Sequence, residues 1–183
     1  MITFKIEYHY LDMSIKRITK DALLLAILSV IGMLSIPLGD NIKVSLQFLV
    51  LLIIYGISDH LIDKIIIPTL YLLLGLVAPI YAGFMAGITP TFGYVIAFIF
   101  AGIPFHFIYK YLKLNYYIRF ILAALAALLI IYLTGTIFMM LYLHISLGTT
   151  LLVSVVPYIV FDIFKIIIAM IVIKLLPNNV KSY

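Results

Sequence analysis

Two ionisable residues lie in an otherwise apolar stretch near the end of this 183-residue chain. Residues 147–173 read LGTTLLVSVVPYIVFDIFKIIIAMIVI, in which the charged side chains are Asp162 and Lys165. Each charge costs about 2.5 to 3.5 kcal/mol near the middle of a membrane-spanning helix. Residues three apart share a helix face, so the charges partly neutralise each other and still offer a polar guest an acceptor and a cationic donor. We therefore predict a ligand-binding role for the pair, and a structural salt bridge between helices is the alternative.

The composition is that of an integral membrane protein. Hydrophobic residues make up 66% of the chain and charged residues 10%, a balance that a soluble domain of this length does not carry without aggregating. The length leaves room for about six spanning helices of roughly 20 residues and for no separate soluble domain. We expect one domain over residues 1–183, with energy coupling supplied by partners. The absence of cysteine excludes disulfides, thiol catalysis and cysteine-ligated metal sites.

Six apolar segments are candidate spanning helices, which predicts an all-α fold. Charged residues, proline or glycine set their limits. They run from Ala22 to Ile36, Leu46 to Ile57, Ile65 to Ala78, Tyr94 to Tyr109, Phe120 to Leu143, and Tyr158 to Leu176. Several are shorter than the roughly 20 residues that cross a bilayer core, so polar flanks such as residues 59–64 are expected to complete helical turns. We interpret the polar cluster in that flank as a solvated turn; its members are Asp59, His60, Asp63 and Lys64.

Lysine and arginine are concentrated on one side of this predicted bundle. With an even number of spans that side carries Lys5, Lys16, Arg17, Lys20, Lys64, Lys110, Lys113, Arg119, Lys174 and Lys181. The opposite side carries Lys43. The positive-inside rule therefore places both termini in the cytoplasm of a cell whose plasma membrane the chain spans, with tails of about residues 1–20 and 177–183. Met13 offers an alternative start. This distribution accounts for the net charge of +5 without a nucleic-acid partner.

Three outward connections are rich in proline, glycine and small polar residues. They are Pro37 to Ser45, Pro79 to Pro90 and His144 to Val156. Non-helical backbone is tolerated at membrane depth where it lines a cavity, so these segments are predicted to wall an outward-facing pocket. Pro157 suits the first turn of the last helix, which would put Asp162 and Lys165 about 7 to 12 Å below its outer end.

Three motifs together resemble the BioY family, the biotin-binding substrate components (S-components) of energy-coupling-factor vitamin transporters. They are SIPLGDNIKVSLQ after the first span, YLLLGLVAPIYAG leading to ITPTFGY, and VVPYIVFDIFKIIIA near the end. The resemblance runs from about Ala22 to Leu176. Its sharpest element is the closing P-x-x-x-x-D-x-x-K formed by Pro157, Asp162 and Lys165.

The resemblance implies that Asp162 and Lys165 contact biotin, that Gln47 lines the pocket and that the PTFGY turn closes it. Aromatic residues are candidate walls for the apolar parts of such a ligand: Tyr81, Phe84, Tyr94 and Tyr158. The chain departs from the family at Phe92, where PTGGY is usual, and has no arginine in that loop for the ligand's carboxylate. Lys43, water or Lys165 are the candidates left for that carboxylate.

The resemblance also implies partners. The family docks its membrane coupling subunit through an A-x-x-x-A pattern on the first helix, which Ala22 and Ala26 match, and two cytoplasmic ATPases then power transport. Small residues four apart let helix backbones approach closely. Packing inside the monomer is the alternative reading, since a second series of alanines occurs at residues 123, 124, 126 and 127.

Two other functional classes remain as alternatives, besides an S-component for another small vitamin. One is a membrane enzyme that uses Asp162 and Lys165 as an acid/base pair, although no third catalytic group accompanies them. The other is a purely structural subunit. No phosphate-binding loop is present, so ATP is expected to act on partners only, and no cofactor is predicted for this chain. The four histidines (His9, His60, His106 and His144) are too scattered to predict a metal site.

Overall fold

The computed structural model describes residues 15–37 and 43–177. Helices and two short strands follow one another in this part of the chain. They are α1 (Ile15–Met33), β1 (Ser35–Pro37), β2 (Lys43–Ser45), α2 (Gln47–Ile57), α3 (Leu61–Val77), α4 (Phe92–Tyr111), α5 (Tyr116–Leu143), α6 (Leu147–Ser154) and α7 (Ile159–Leu175). The strands pair antiparallel, with Ser35 opposite Ser45. The prediction of a mostly helical chain is confirmed, and the hairpin is the addition that an all-α reading missed.

Each predicted span overlaps a helix, although the limits differ. Residues 15–20, assigned to the amino-terminal tail, belong to α1, whereas residues 34–36 leave the helix. Residues 79–90 are non-helical, as predicted, and the non-helical segment extends to residues 78 and 91. The expectation that the connection from His144 to Val156 is non-helical was wrong, because it contains α6; its residues Val153 and Ser154 do line the cavity described below. Ser146 caps this helix by accepting a hydrogen bond from the Thr149 N–H at 3.2 Å, which satisfies one free donor of the first turn.

A break separates α6 from α7 and bends their axes by 48°. Residues 155–158 form a turn, and the N–H groups of Val155 and Val156 both bond to the Leu151 carbonyl oxygen. The expectation that Pro157 lies in the first helical turn was wrong, since the helix begins at Ile159 with Tyr158 as its N-cap. Proline has no N–H and disfavours helical geometry in the residue before it, so the chain leaves the helix here.

Helices α4 and α5 pack closely through small side chains. Their fully buried alanines are Ala97 and Ala101 on α4 and Ala123, Ala124 and Ala127 on α5. Small side chains let helix backbones approach closely, and the resulting van der Waals contacts stabilise the helix pair. Lipid tails are as apolar as the helices, so the hydrophobic effect does not drive this association. The alanine series on α5 therefore packs inside the monomer.

The end of α2 is tied to α1 and α3 by cations. The Lys64 ammonium donates to the carbonyl oxygens of Tyr55 and Ser58, and the Lys20 ammonium donates to that of Ile57 at 3.0 Å. The last carbonyl groups of a helix lack internal partners and attract positive charge, so these lysines stabilise a helix of only 11 residues.

An ion pair joins α1 to α3 at the same end of the bundle. The Arg17 guanidinium donates to the Asp63 carboxylate, with Nε 3.0 Å from Oδ1. Asp63 and Lys64 are buried, so the prediction of a solvated turn was wrong for both. Asp59 and His60 are exposed. Lys64 is buried because it donates to the carboxyl end of α2, and Asp63 is buried because it pairs with Arg17 of α1.

Two helices in the described ranges are long and apolar enough to cross a membrane alone, namely α4 and α5. The bent pair of α6 and α7 passes the same test if it is taken as one span. At 1.5 Å per residue α5 is about 42 Å long, and α2 is about 16 Å long. The bundle therefore combines full-length helices with shorter ones.

Replacement of Lys64 by methionine is expected to destabilise the protein. The substitution keeps much of the side-chain volume but leaves two buried carbonyl groups without their donor, which costs about 1 to 3 kcal/mol in the free energy of unfolding. Thermal unfolding of the purified protein in detergent measures the effect. Lys113→Met is the control, because Lys113 is exposed between α4 and α5. Equal midpoints for the two variants would contradict a stabilising role for Lys64.

Candidate ligand-binding site

The hairpin, residues 78–91 and the end of α6 border a cavity of about 430 Å³. Such a volume lies within the range of about 300 to 1,000 Å³ that is usual for small-molecule sites. The hairpin and α2 contribute Ser35, Ser45, Gln47 and Phe48, and the 78–91 segment contributes Tyr81, Ala82, Gly83, Met85, Thr89, Pro90 and Thr91. The helices contribute Tyr94, Val95, Phe98, Leu128, Ile131, Tyr132, Met139, Val153, Ser154, Asp162 and Lys165, and the turn before α7 contributes Tyr158.

Asp162 and Lys165 face this cavity as a buried ion pair. The Lys165 Nζ atom is 2.7 Å from Asp162 Oδ1, and the two side chains are 9% and 8% exposed. The Tyr132 hydroxyl on α5 donates to the other carboxylate oxygen at 2.5 Å. Burial of one charge alone would be strongly unfavourable, so the neutralising partner and the added hydrogen bond are what allow the pair at this depth.

The pair keeps hydrogen-bonding capacity for a guest. An ammonium group has three N–H donors, and in the described part of the chain Lys165 spends one on Asp162. A carboxylate has about four lone-pair sites, of which Asp162 uses two on Lys165 and Tyr132. Donors and acceptors therefore remain side by side, which suits a polar group that carries both.

Hydroxyl groups connect α4 to α6 beside the pair. The Tyr94 hydroxyl donates to Ser154 Oγ at 2.8 Å, and Ser154 Oγ donates to the Thr150 carbonyl oxygen at 2.8 Å. Gly135 on α5 makes room for the Tyr94 ring, because a Cβ atom at 135 would overlap it. This chain of bonds fixes the phenol against the cavity and leaves its ring as an apolar wall.

Residues 78–91 are held against α3 by two tyrosines. The Tyr81 hydroxyl donates to the Leu72 carbonyl oxygen at 2.6 Å. The Tyr71 hydroxyl donates to the Ile80 carbonyl oxygen at 2.8 Å and accepts from the Gln47 amide at 2.6 Å. Gln47 is thereby oriented from α2, and the irregular segment is fixed at its start.

Most of the predicted site residues lie together in this cavity. Gln47, Tyr81, Tyr94 and Tyr158 line it with Asp162 and Lys165, whereas Phe84 does not. Phe84 is 64% exposed and has φ of +60°, next to Gly83 at +75°. This left-handed turn carries the Phe84 side chain away from the cavity, so the structure gives no support to its predicted role as a wall.

The predicted docking residues lie on the outer face of α1. Ala22 and Ala26 are exposed, and the buried residues of the helix are Leu24, Leu28 and Gly32. This placement differs from that of the α5 alanines, which pack inside the monomer. Lys43, a candidate for the ligand's carboxylate, has a side chain outside the described part of the structure.

Sequence reasoning missed Tyr132 and the apolar wall residues of α4 and α5. Tyr132 is the more consequential omission because it contacts Asp162 directly. The chain holds 14 tyrosines and 12 phenylalanines, so an aromatic residue within a span carries little information by itself. One signal could have identified Tyr132. It is a hydroxyl-bearing residue inside an apolar span, and such a residue is a candidate partner for a charge on a later span.

Comparisons with known proteins agree with this geometry. A family model described as the BioY family matches residues 6–182. The fold is similar to a solved structure of the S-component for biotin from an ECF-type ABC transporter, with a TM-score of 0.76 and 25% sequence identity. That match covers 87% of this chain and 89% of the other. A search of curated proteins gave no significant match.

Replacement of Gly135 by alanine is expected to disturb the cavity wall. The added methyl group overlaps the Tyr94 ring, and overpacking of this kind costs about 1 to 3 kcal/mol in the free energy of unfolding. Gly148→Ala on α6 is the matched control, because a Cβ atom there meets nothing within 4 Å. Thermal unfolding should show a lower midpoint for Gly135→Ala and an equal or higher one for Gly148→Ala. A Gly135→Ala midpoint equal to that of the parent would show that the Tyr94 ring moves freely.

Proposed function

The chain belongs to the BioY family, and we propose that it captures biotin as the substrate-binding subunit of an energy-coupling-factor transporter. The buried pair of Asp162 and Lys165 at the cavity is the observation that carries this proposal. Asp162 and Lys165 are the charged residues of the described cavity lining. An intramembrane ionisable pair that faces a cavity is by default a functional site.

The chemistry of biotin suits this site. Its ureido ring presents two N–H donors beside one carbonyl acceptor, which the Asp162 carboxylate and the Lys165 ammonium complement. Its thiophane ring and aliphatic chain suit walls such as Phe48, Phe98 and Ile131. The ligand is thus gripped at its polar ring and enclosed along its apolar parts.

Six spans with both termini in the cytoplasm are the topology that we propose for this membrane protein. The spans are α1, α2, α3, α4, α5 and α7, with α6 lying at the outer end. Contacts of Arg17 with Asp63, Lys20 with Ile57, and Lys174 with Tyr117 collect basic residues at the end of the bundle away from the hairpin. By the positive-inside rule that end is cytoplasmic, so the cavity opens outward.

Transport requires partners, since this chain supplies the capture step only. We propose that a membrane coupling subunit docks on the exposed face of α1 at Ala22 and Ala26, and that two cytoplasmic ATPases supply the energy. Exposed small residues on a spanning helix favour close contact with another helix. The adjoining exposed residues Leu23 and Ile27 extend this face with apolar surface.

Titration of the purified chain with a panel of vitamins tests the proposal. Biotin should bind and thiamin and riboflavin should not, as measured by isothermal titration calorimetry in detergent. The lack of tryptophan favours this outcome, because flat heteroaromatic ligands are commonly stacked on indole. Binding of another vitamin in place of biotin would refute the assignment of biotin as the ligand. Binding of no vitamin would refute the assignment of this chain as a substrate-binding subunit.

Asp162→Asn and Lys165→Ala should each weaken biotin binding at least tenfold. Each change removes one partner of a buried pair and one ligand contact, and an unpaired buried polar group costs about 1 to 3 kcal/mol, more when charged. Tyr132→Phe should weaken binding by a smaller factor, because it acts through Asp162. Titration calorimetry measures all three, and Tyr111→Phe is the control because Tyr111 is exposed at the end of α4. Unchanged affinity in the Asp162 and Lys165 variants would remove them from the site.

Single cysteines test the topology, since the native chain has none. Gly148→Cys on α6 should be labelled in intact cells by a membrane-impermeant thiol reagent, because this position is exposed at the outer end. Leu114→Cys, between α4 and α5, should be labelled only after the membrane is permeabilised. The reverse pattern would invert the proposed orientation.

Ala26→Leu should separate binding from coupling. A bulky side chain on the exposed face of α1 leaves the cavity intact and blocks close approach by another helix. Biotin affinity of the variant should be unchanged, while copurification with the coupling subunit should fall. Ile27→Leu on the same face is the control. Parallel loss of both activities would instead mean that Ala26 supports the monomer fold.

A further inference from the structure

The cavity carries no net charge among the described residues that line it. Asp162 and Lys165 are its charged side chains, and they are paired with each other at 2.7 Å. A second carboxylate brought to this pair would be attracted by the ammonium and repelled by the Asp162 carboxylate. The two effects oppose each other at nearly equal distance, so the pair is a poor receptor for an anion and a good one for a neutral ring.

A second polar group lines the cavity on other elements. Ser35 and Ser45 lie opposite each other in the hairpin, and Ser35 Oγ is 3.9 Å from the place of a Cβ atom on Gly83. The Thr89 and Thr91 hydroxyls are 3.1 Å apart. Gly83 and Thr91 are exposed, so this side of the cavity opens to water. We call the four hydroxyl-bearing side chains of Ser35, Ser45, Thr89 and Thr91, all of which line the cavity, the hydroxyl cluster.

We infer that the hydroxyl cluster receives the carboxyl end of the ligand, so that biotin derivatives with a neutral tail, such as biotinamide, also bind. This inference rests on the proposed function and on the polar ring lying at Asp162 and Lys165. A hydroxyl donates both to a carboxylate oxygen and to an amide or ester carbonyl oxygen, and the bond to the anion is about twice as strong, whereas an ammonium favours the anion far more. The substrate class is therefore set by the ring and the apolar chain and not by the tail's charge.

Titration of the full-length chain with biotin, biotinamide and biotin methyl ester tests the inference directly. Recognition by hydroxyl groups predicts dissociation constants for the neutral ligands within about tenfold of that for biotin, since a hydrogen bond to a neutral oxygen is about half as strong as one to a carboxylate. Neutral ligands that bind about a hundredfold more weakly would show that a cation receives the carboxylate, and the inference would fall. Failure of biotin itself to bind would overturn the proposed function and, with it, this inference.

Variants of the hydroxyl cluster give a second, independent readout. Ser35→Ala combined with Thr91→Ala should weaken the binding of both ligands, by about tenfold for biotinamide, which loses two neutral hydrogen bonds, and by a larger factor for biotin. Ser35→Thr, which keeps the hydroxyl, should retain more affinity than Ser35→Ala. Ser29→Ala is the matched control, because Ser29 bonds to the Leu25 carbonyl oxygen and does not line the cavity. Undiminished affinity of a folded double variant for both ligands would overturn the assignment.

Discussion

The buried contact between Asp162 and Lys165 is the constraint around which the rest of this structure is arranged. Two charges in an apolar bundle are tolerated only if they neutralise each other and if their remaining hydrogen-bonding sites find partners. Tyr132 supplies one such partner from α5, at 2.5 Å from Asp162 Oδ2. The break at residues 155–158 places Asp162 in the first turn of α7 and opens a cavity beside it. In our account a ligand ring supplies the remaining partners.

Charged side chains are buried at both ends of the bundle, but their hydrogen-bonding partners differ. At the basic end, Lys20 and Lys64 donate to the last carbonyl groups of α2, and Arg17 pairs with Asp63. Those polar groups satisfy one another within the chain, which favours a rigid structural role. At the cavity end the polar groups are only partly satisfied by the protein. Partial satisfaction alone does not mark the binding site, because Ser58 Oγ at the basic end is also buried without a partner among the described residues; the cavity beside Asp162 and Lys165 does.

The sequence could predict the helices and the charged pair because both depend on local composition. Apolar runs mark the six candidate spans, each of which overlaps a helix, and two charges inside one run single out Asp162 and Lys165. The hairpin and α6 were missed because each is short and depends on its contacts with the rest of the bundle. The burial of Asp63 and Lys64 was missed because it depends on partners in other helices, Arg17 of α1 for Asp63 and the end of α2 for Lys64. Phe84 was misplaced because the left-handed turn at Gly83 and Phe84 is not visible in residue types alone.

The central claim is that Asp162 and Lys165 bind the ligand directly and do not only stabilise the helix bundle. Titration of biotin into the double variant Asp162→Leu/Lys165→Met tests it most directly, because replacing both members of a buried ion pair by apolar residues of similar volume is often neutral or stabilising for the fold. The account predicts a folded, monodisperse protein that no longer binds biotin. A folded double variant with near-normal biotin affinity would show that the pair is structural, and would contradict the account.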